Sequence, residues 1–241
     1  VGCDAEGLEL RMLGHYLAKH DEGRFAYAVV QGTKEDGTDA HTINQKLVGL
    51  FKRDAAKTFI YALIYGAGDW KLGHIIRLDA WEAGHQITTN EKTLGKKARK
   101  RILDGLGLKD LVDGVKKRAK KGFLKGLDGS RIRVRSEHAA LNTLLQSGGA
   151  IVMKKALVLF HEEAVERWGL PDVQYGRRNS RPLWAYCANV HDEVQIECVP
   201  EIAEEIGKLF ADCIRRAGEF YQLRCPLGGA YAVGDDWHDT H

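Results

Sequence analysis

Three acidic residues lie where predicted strands end. Asp4 closes the short apolar run of "VGCDAEGLELR", and Asp192 and Glu193 sit in the middle of "LWAYCANVHDEVQIECV". Strand-forming residues flank "HDE" on both sides and Pro200 ends the second run, which predicts a hairpin with Asp192 and Glu193 near its tight turn. Adjacent acids in a turn are ordinarily turn chemistry. Two carboxylates carried from separate strands to one spot, however, repel unless cations sit between them, which is how a two-metal phosphoryl-transfer site is made. The spacing leaves both readings open.

A second pattern is periodic. In "RDAAKTFIYALIYGAG", residues 53–68, Arg53, Lys57, Tyr61 and Tyr65 recur at every fourth position before a glycine stop. At about 100° per residue each step of four drifts by roughly 40°, so the four side chains form a stripe about 120° wide on one helix. Ala56, Phe59, Ile60 and Leu63 fall largely elsewhere and can serve the core. Alone, the stripe describes a surface helix with solvated cations and two half-buried tyrosines.

The elements that must carry these side chains follow from the rest of the pattern. A helix is expected from about Leu8, an exposed polar loop over "GTKEDGTDAHTINQ", broken helices over 41–85 and basic helix over 91–125. "GLDGSRIRVR" reads as a turn into a strand, and a long helix runs from about His138 to Trp168. A polar loop at Arg177–Arg181, the hairpin, and a helix from about Glu201 to Glu219 follow.

Composition narrows the class. The 241 residues, 44% apolar, can bury a sizeable core in one large domain or two subdomains. The net charge is only +3, yet residues 92–135 hold sixteen Lys and Arg against four Asp, a local charge of +12 that leaves the remainder acidic by about nine. Such a run is either a solvated helical face or a surface for a phosphate backbone. Five cysteines make no CxxC pair and no evident zinc spacing, so reduced thiols of a cytoplasmic protein are expected. Cys187 and Cys198 would face each other if the hairpin turn centred on Asp192 and Glu193. No uninterrupted apolar run approaches the roughly 18 residues of a membrane span, because Lys154 and Lys155 break the best candidate, and no membrane partner is expected. Val rather than Met at position 1, with a strand running straight into a motif, points to a piece of a longer chain.

These stretches together resemble family-A DNA polymerases, especially the bacteriophage replicative branch. "DAEGLELR" at 4–11 is similar to the first polymerase motif, "RDAAKTFIYALIYG" at 53–66 to the second and "HDE" at 191–193 to the third, in the family's order. "DAHTINQ" at 39–45 and "HAALNTLLQSGGA" at 138–150 are also family-like. The resemblance implies an α/β (α+β) fold: a palm with a mainly antiparallel sheet and the catalytic hairpin, residues 1–11 and 130–241, and a helical fingers insertion, residues 12–129. It implies template-directed DNA synthesis from deoxynucleoside triphosphates on primer-template DNA, with two magnesium ions. It also implies a thumb upstream of the first motif, and leaves open an exonuclease segment. A non-catalytic nucleic-acid-binding fragment is the alternative. A metal-dependent nuclease fits less well, because carboxylates alone would not require the helix stripe.

The resemblance also implies roles. Asp4 and Asp192 would hold two Mg2+ ions about 4 Å apart, one activating the primer 3′-hydroxyl and the other neutralising the triphosphate and leaving pyrophosphate. The carbonyl of Ala5 would be a further ligand, and Glu193 a weaker one that shapes the site. Arg53 and Lys57 stand near a helix N-terminus, which offers partial positive charge and free N–H groups, and would grip the phosphates with help from His41. Lys57 would act on the leaving pyrophosphate either as proton donor or by charge alone. Tyr61 would sit beside sugar and base, its hydroxyl bonded to Glu9 as a gate against ribonucleotides, and Tyr65 at the template position of a mobile fingers helix. Asn142 and Gln146, four apart on a helix, would present amides to the minor groove. His191 would contact the primer end or bond to backbone, and His241 would lie near the active site. Arg131, Arg135 and the basic stretch would meet DNA phosphates. The chain departs from the family pattern at Glu6, where serine is common, and at Ser130, where arginine is.

Overall fold

The computed structural model describes residues 1–171 and 182–241, and the polar loop expected at Arg177–Arg181 lies outside them. Strand β1 (Gly2–Ala5) leads into a run of helices: α1 (Leu8–Asp21), α2 (Arg24–Val30), α3 (Ala40–Val48), α4 (Arg53–Ile64), α5 (Asp69–Glu82), α6 (Glu91–Gly105) and α7 (Leu108–Ala119). A small hairpin, β2 (Phe123–Lys125) and β3 (Arg131–Arg133), precedes the long α8 (Ala140–Trp168). Then come β4 (Trp184–Val190), β5 (Glu193–Cys198), α9 (Ala203–Phe220), β6 (Gly229–Ala232) and α10 (Trp237–Thr240). The expected mixture of helix and antiparallel sheet is present.

Two compact units result. The first takes residues 1–9 and 148–241, the second residues 10–147, so the chain passes between them within α1 and within α8. In the first unit four antiparallel strands run in the order β4-β5-β1-β6, which places β1 inside the sheet. Helix α9 covers the sheet with a regular apolar face, Ala203, Ile206, Phe210, Cys213, Ile214 and Ala217 all being buried at helical spacing. Phe160 of α8 meets Trp184 edge-on at 5.4 Å and Phe210 at 5.0 Å, pairs that add about 0.5–1.5 kcal/mol each beyond the area they bury.

Capping chemistry sets the helix limits of the second unit. Asp39 starts α3 by accepting the His41 and Thr42 N–H groups, and Asn90 starts α6 by accepting that of Thr93. Helix α4 stops where Gly66 adopts φ 81°. Gly66 N–H then bonds back to Leu63 and Ala67 N–H to Ala62, a Schellman closure that needs a residue without Cβ at the left-handed position. At its other end α4 carries no cap of its own. The N–H groups of Phe51 and Lys52 go instead to the buried carboxylate of Asp79 on α5, at 2.7 and 3.1 Å.

Helices α5 and α6 pack through glycine. A Cβ on Gly95 would lie 2.7 Å from the Asp69 carbonyl carbon and 2.8 Å from the Gly73 nitrogen. Gly95→Ala is therefore expected to force the two backbones apart, costing about 2–3 kcal/mol and lowering the thermal midpoint by roughly 4–8 °C. A midpoint unchanged within one degree or so in differential scanning calorimetry would show that the helices can give way freely.

Several expectations change in the structure. The polar loop is shorter than "GTKEDGTDAHTINQ" suggests, since α3 begins at Ala40, and the unforeseen α2 precedes it. The expected division at 129/130 differs from the unit boundary at 147/148. Residues 130–147 stay with the helical unit because Arg131–Arg133 pairs with Phe123–Lys125 next to α7, and because Gln146 bonds to Tyr65. Cys187 and Cys198 do not face each other: Cys198 pairs with Trp184, and a bulge between Tyr186 and Ala188 sets Cys187 aside, both thiols being free. Helix α8 with its preceding turn, Glu137–Trp168, is the one helix among the described residues long and apolar enough to cross a membrane. Its apolar side chains at Val152, Met153, Ala156, Phe160 and Ala164 are buried, as in the core helix of a globular unit.

Candidate active site

The first unit gathers the acids. In the register of β1 with β5, Asp4 stands opposite Glu193, and the N–H of Ala5 donates to the Asp192 carbonyl oxygen at 3.1 Å. The turn before β5 is tight, with His191 at φ 58°, a left-handed backbone uncommon for a residue with a side chain. Partial burial and the charges of Asp192, Glu193, Glu9 and Glu6 push the Asp4 carboxyl up to about 6. Burial also raises Asp192, with Glu9 and Glu193 adding to it. Five acids thus share one neighbourhood.

Glu193 is held differently. Its Oε1 accepts from Trp237 Nε1 at 2.7 Å and from Gln195 Nε2 at 2.5 Å, and its Oε2 pairs with His241 Nδ1 at 2.7 Å. Burial works against ionisation of Glu193, but the bonds from Gln195, His241 and Trp237 outweigh it and lower its carboxyl. Both oxygens are engaged, so its geometry is that of a brace for the turn. Among the described residues no group of three or more His, Cys, Asp or Glu side chains forms a ready metal cage. The oxygens brought near one another are those of the Asp4 and Asp192 carboxylates. Those oxygens fit Mg2+, which takes one or two carboxylates and fills its remaining positions with water or phosphate oxygens. The raised carboxyls of Asp4 and Asp192 give a cation something to relieve.

The second unit gathers the cations. Along α4, Ala56, Phe59, Ile60, Leu63 and Ile64 are buried, so the stripe of Arg53, Lys57, Tyr61 and Tyr65 lies on the other side of the helix. Arg53 donates through Nε and Nη2 to Asp39 Oδ1 at 3.1 and 2.7 Å. Burial opposes the charge of Asp39, yet the bonds from Arg53 and Thr42 hold its carboxyl down at about 2. Burial, then the positive charge of Arg53, lowers His41, which leaves its imidazole neutral near pH 7. His41 and Tyr61 rings lie 6.4 Å apart, and its Nδ1 is buried without a hydrogen bond among the described residues. At the far end of the stripe, Gln146 Nε2 donates to the Tyr65 hydroxyl at 3.1 Å.

Thus Asp4, Ala5, Glu9, Asp192 and Glu193 come together in one unit, with His191 in the turn and His241 on Glu193, while His41, Arg53, Lys57 and Tyr61 cluster in the other. Arg135 is exposed just beyond β3. Asn142 keeps a buried side-chain oxygen without a hydrogen bond among the described residues. Arg131 lies over the Phe123 ring at 4.0 Å. Sequence reasoning missed Asp39 and Trp237. Asp39 carried a usable signal, an aspartate directly before a helix start; Trp237 carried none.

Comparisons with known proteins agree on one family. The sequence model described as DNA polymerase family A matches residues 1–239. The DNA-directed DNA polymerase of Enterobacteria phage T3 is 35% identical over 258 residues, covering 100% of this chain and 33% of that protein. The DNA-directed DNA polymerase of Escherichia phage T7 gives the same identity and coverage. Among solved structures, the POL domain of Pol1 from M. smegmatis, in complex with DNA primer-template and dNTP, has the same fold. It aligns with a TM-score of 0.72 at 21% identity, over 99% of this chain and 40% of that one. The chain spans about a third of the length of these phage relatives.

Proposed function

The chain belongs to DNA polymerase family A, and from that premise we propose that it carries the nucleotidyl-transfer machinery of a template-directed DNA polymerase acting in replication. The observation that carries the proposal is the meeting of Asp4 and Asp192 at one strand junction with raised carboxyls, in a chain whose other unit carries a helix stripe of the opposite charge. Asp4, Asp192 and the Ala5 carbonyl would hold divalent magnesium. When bound, the metal supplies a lower pKa for the primer 3′-hydroxyl and charge neutralisation at the phosphates. The other parts belong to the protein. Arg53 and Lys57 bind the triphosphate at the first turns of α4, neutral His41 donates a hydrogen bond to it, and Tyr61 lies against the sugar and base. Glu193, braced by Trp237, Gln195 and His241, keeps the turn bearing Asp192 in place.

Duplex recognition draws on residues of both units. Tyr65 and Gln146, already hydrogen-bonded to each other, take the template position and the minor groove, with Asn142 one turn before Gln146. His191 and His241 contact the primer end, and Arg135 meets backbone phosphate. Primer extension by the full-length protein, with magnesium and all four deoxynucleotides, tests the reading. Binding of primer-template without any extension would favour a non-catalytic nucleic-acid-binding role instead.

Sugar choice gives a sharper check. Glu9→Ala is expected to relax selection toward ribonucleotides, because the carboxylate that leaves a 2′-hydroxyl without space or partner is gone. Tyr61→Phe is expected chiefly to raise discrimination against dideoxynucleotides, since the phenol can fill the place of a missing 3′-hydroxyl. Single-nucleotide incorporation kinetics with deoxy, ribo and dideoxy forms of one base reads both effects. Unchanged ratios would take Glu9 and Tyr61 out of the sugar site.

A further inference from the structure

The second unit holds a carboxylate inside its cationic cluster, which is an odd place for one if the cluster exists only to attract phosphate. Asp39 sits at the N-terminus of α3 and is buried, and every contact it makes fixes it more firmly. Its Oδ1 accepts the N–H groups of His41 at 3.0 Å and Thr42 at 3.4 Å, and its Oδ2 accepts the Thr42 hydroxyl. Onto that fixed oxygen Arg53 folds one edge of its guanidinium, Nε at 3.1 Å and Nη2 at 2.7 Å. The carboxylate thus ties the start of α3 to the first residue of α4.

We propose that Asp39 is a positioning residue for triphosphate binding: it clamps the Nε edge of Arg53 so that the opposite, Nη1 edge is presented to the nucleotide phosphates. The inference rests on the proposed role of Arg53 and deepens it. Arginine is long and flexible, and a planar fork held along one edge meets a phosphate oxygen with its remaining donors already oriented. A free arginine would bring more net charge but would have to be ordered by each incoming nucleotide. The clamp also keeps the guanidinium close enough for its charge to act on His41, whose neutral ring adds a hydrogen-bond donor without a second unsolvated cation. Clamping acts on binding more than on the chemical step, because the phosphates are held before and during reaction alike.

Asp39→Asn separates this role from helix capping. Asparagine caps a helix about as well as aspartate but withdraws the charge from the clamp. In the full-length protein, Asp39→Asn is expected to raise KM for the correct deoxynucleotide by about tenfold with kcat changed less than about twofold, and to lower the thermal midpoint modestly, since the low Asp39 carboxyl reflects a contact that also stabilises the fold. The double variant Asp39→Asn with Arg53→Ala should show no higher KM than Arg53→Ala alone, since the clamp has nothing left to hold. A normal KM in Asp39→Asn would overturn the proposal, as would independent, multiplying effects in the double variant. A lowered KM would also overturn it and make Asp39 a competitor for Arg53. If Arg53→Ala itself leaves KM unchanged, the triphosphate role of α4 fails, and the clamp fails with it for a separate and recognisable reason.

Discussion

Asp192→Asn is expected to slow nucleotide incorporation by about a thousandfold or more, equivalent to about 4 kcal/mol of transition-state stabilisation. Primer-template affinity should stay within about twofold, because phosphate contacts by Lys and Arg dominate DNA binding. Asparagine keeps the size of the side chain and removes the charge that a divalent ion needs. Rapid-quench kinetics and a filter-binding titration on the same preparation read the two quantities separately. Near-normal turnover would remove Asp192 from the reaction. The substitution has a second consequence in metal-free protein. Asp4 titrates at about 6 when folded against 3.8 as a free carboxyl, so the native state holds its proton more tightly than the unfolded one. Its contribution to stability is complete below about pH 4 and is lost as pH rises through about 6. Burial, the larger cause, remains in the variant, but removing the Asp192 charge lets the Asp4 carboxyl fall part of the way toward its ordinary value and so reduces that loss. Solvent exposure screens the repulsion, so the gain at pH 7 is about 1 kcal/mol or less. Thermal midpoints against pH in EDTA should therefore show the inactive variant as the slightly more stable protein.

Lys57→Ala is expected to lower incorporation by about a hundredfold, the usual scale for losing one donor aimed at developing phosphate charge. Lys57 is exposed one turn after Arg53 and retains its charge in Lys57→Arg, which should recover activity to within about tenfold of the parent. Arginine does not release its proton near neutral pH. An arginine variant as slow as the alanine one would thus assign Lys57 to proton transfer onto pyrophosphate, and recovery assigns it to charge alone. Incorporation rates from pH 6 to 9 for both variants complete the comparison.

What the sequence made legible was local or strongly periodic. The stripe on α4 could be read because every fourth side chain is polar or phenolic while Ala56, Phe59, Ile60 and Leu63 go to the core. The turn at Asp192 could be read because strand formers flank it. Long-range side-chain bonds could not. Nothing near Asp39 signals that Arg53 will reach it, and nothing near Glu193 signals that Trp237 and His241 will take its oxygens. Strand β6, "GAYA", has almost no strand propensity of its own and exists because β1 offers it an edge. The hairpin turns at His191–Asp192 rather than at Asp192–Glu193, and the bulge at Cys187 then shifts the register by one more residue, which symmetric counting from the turn cannot foresee. The domain limit inside α8 was hidden because a continuous helix carries no break in its pattern.

The placement of β1 between β5 and β6 has a consequence for biogenesis. The strand bearing Asp4 is made well before its partner residue Glu193 and the edge strand at Gly229–Ala232. At about 5–20 residues per second, translation separates the two halves of the carboxylate pair by roughly 10–40 s. Residues 10–147 have by then left the ribosome complete and hold their own core, so the helical unit can mature while the first strand waits unpaired. Closing so long a loop is entropically costly and slow, and it comes last. A nascent chain therefore exposes the cationic stripe of α4 well before it gathers the acids of the first unit, and products cut short between residues 147 and 192 would carry the first without the second.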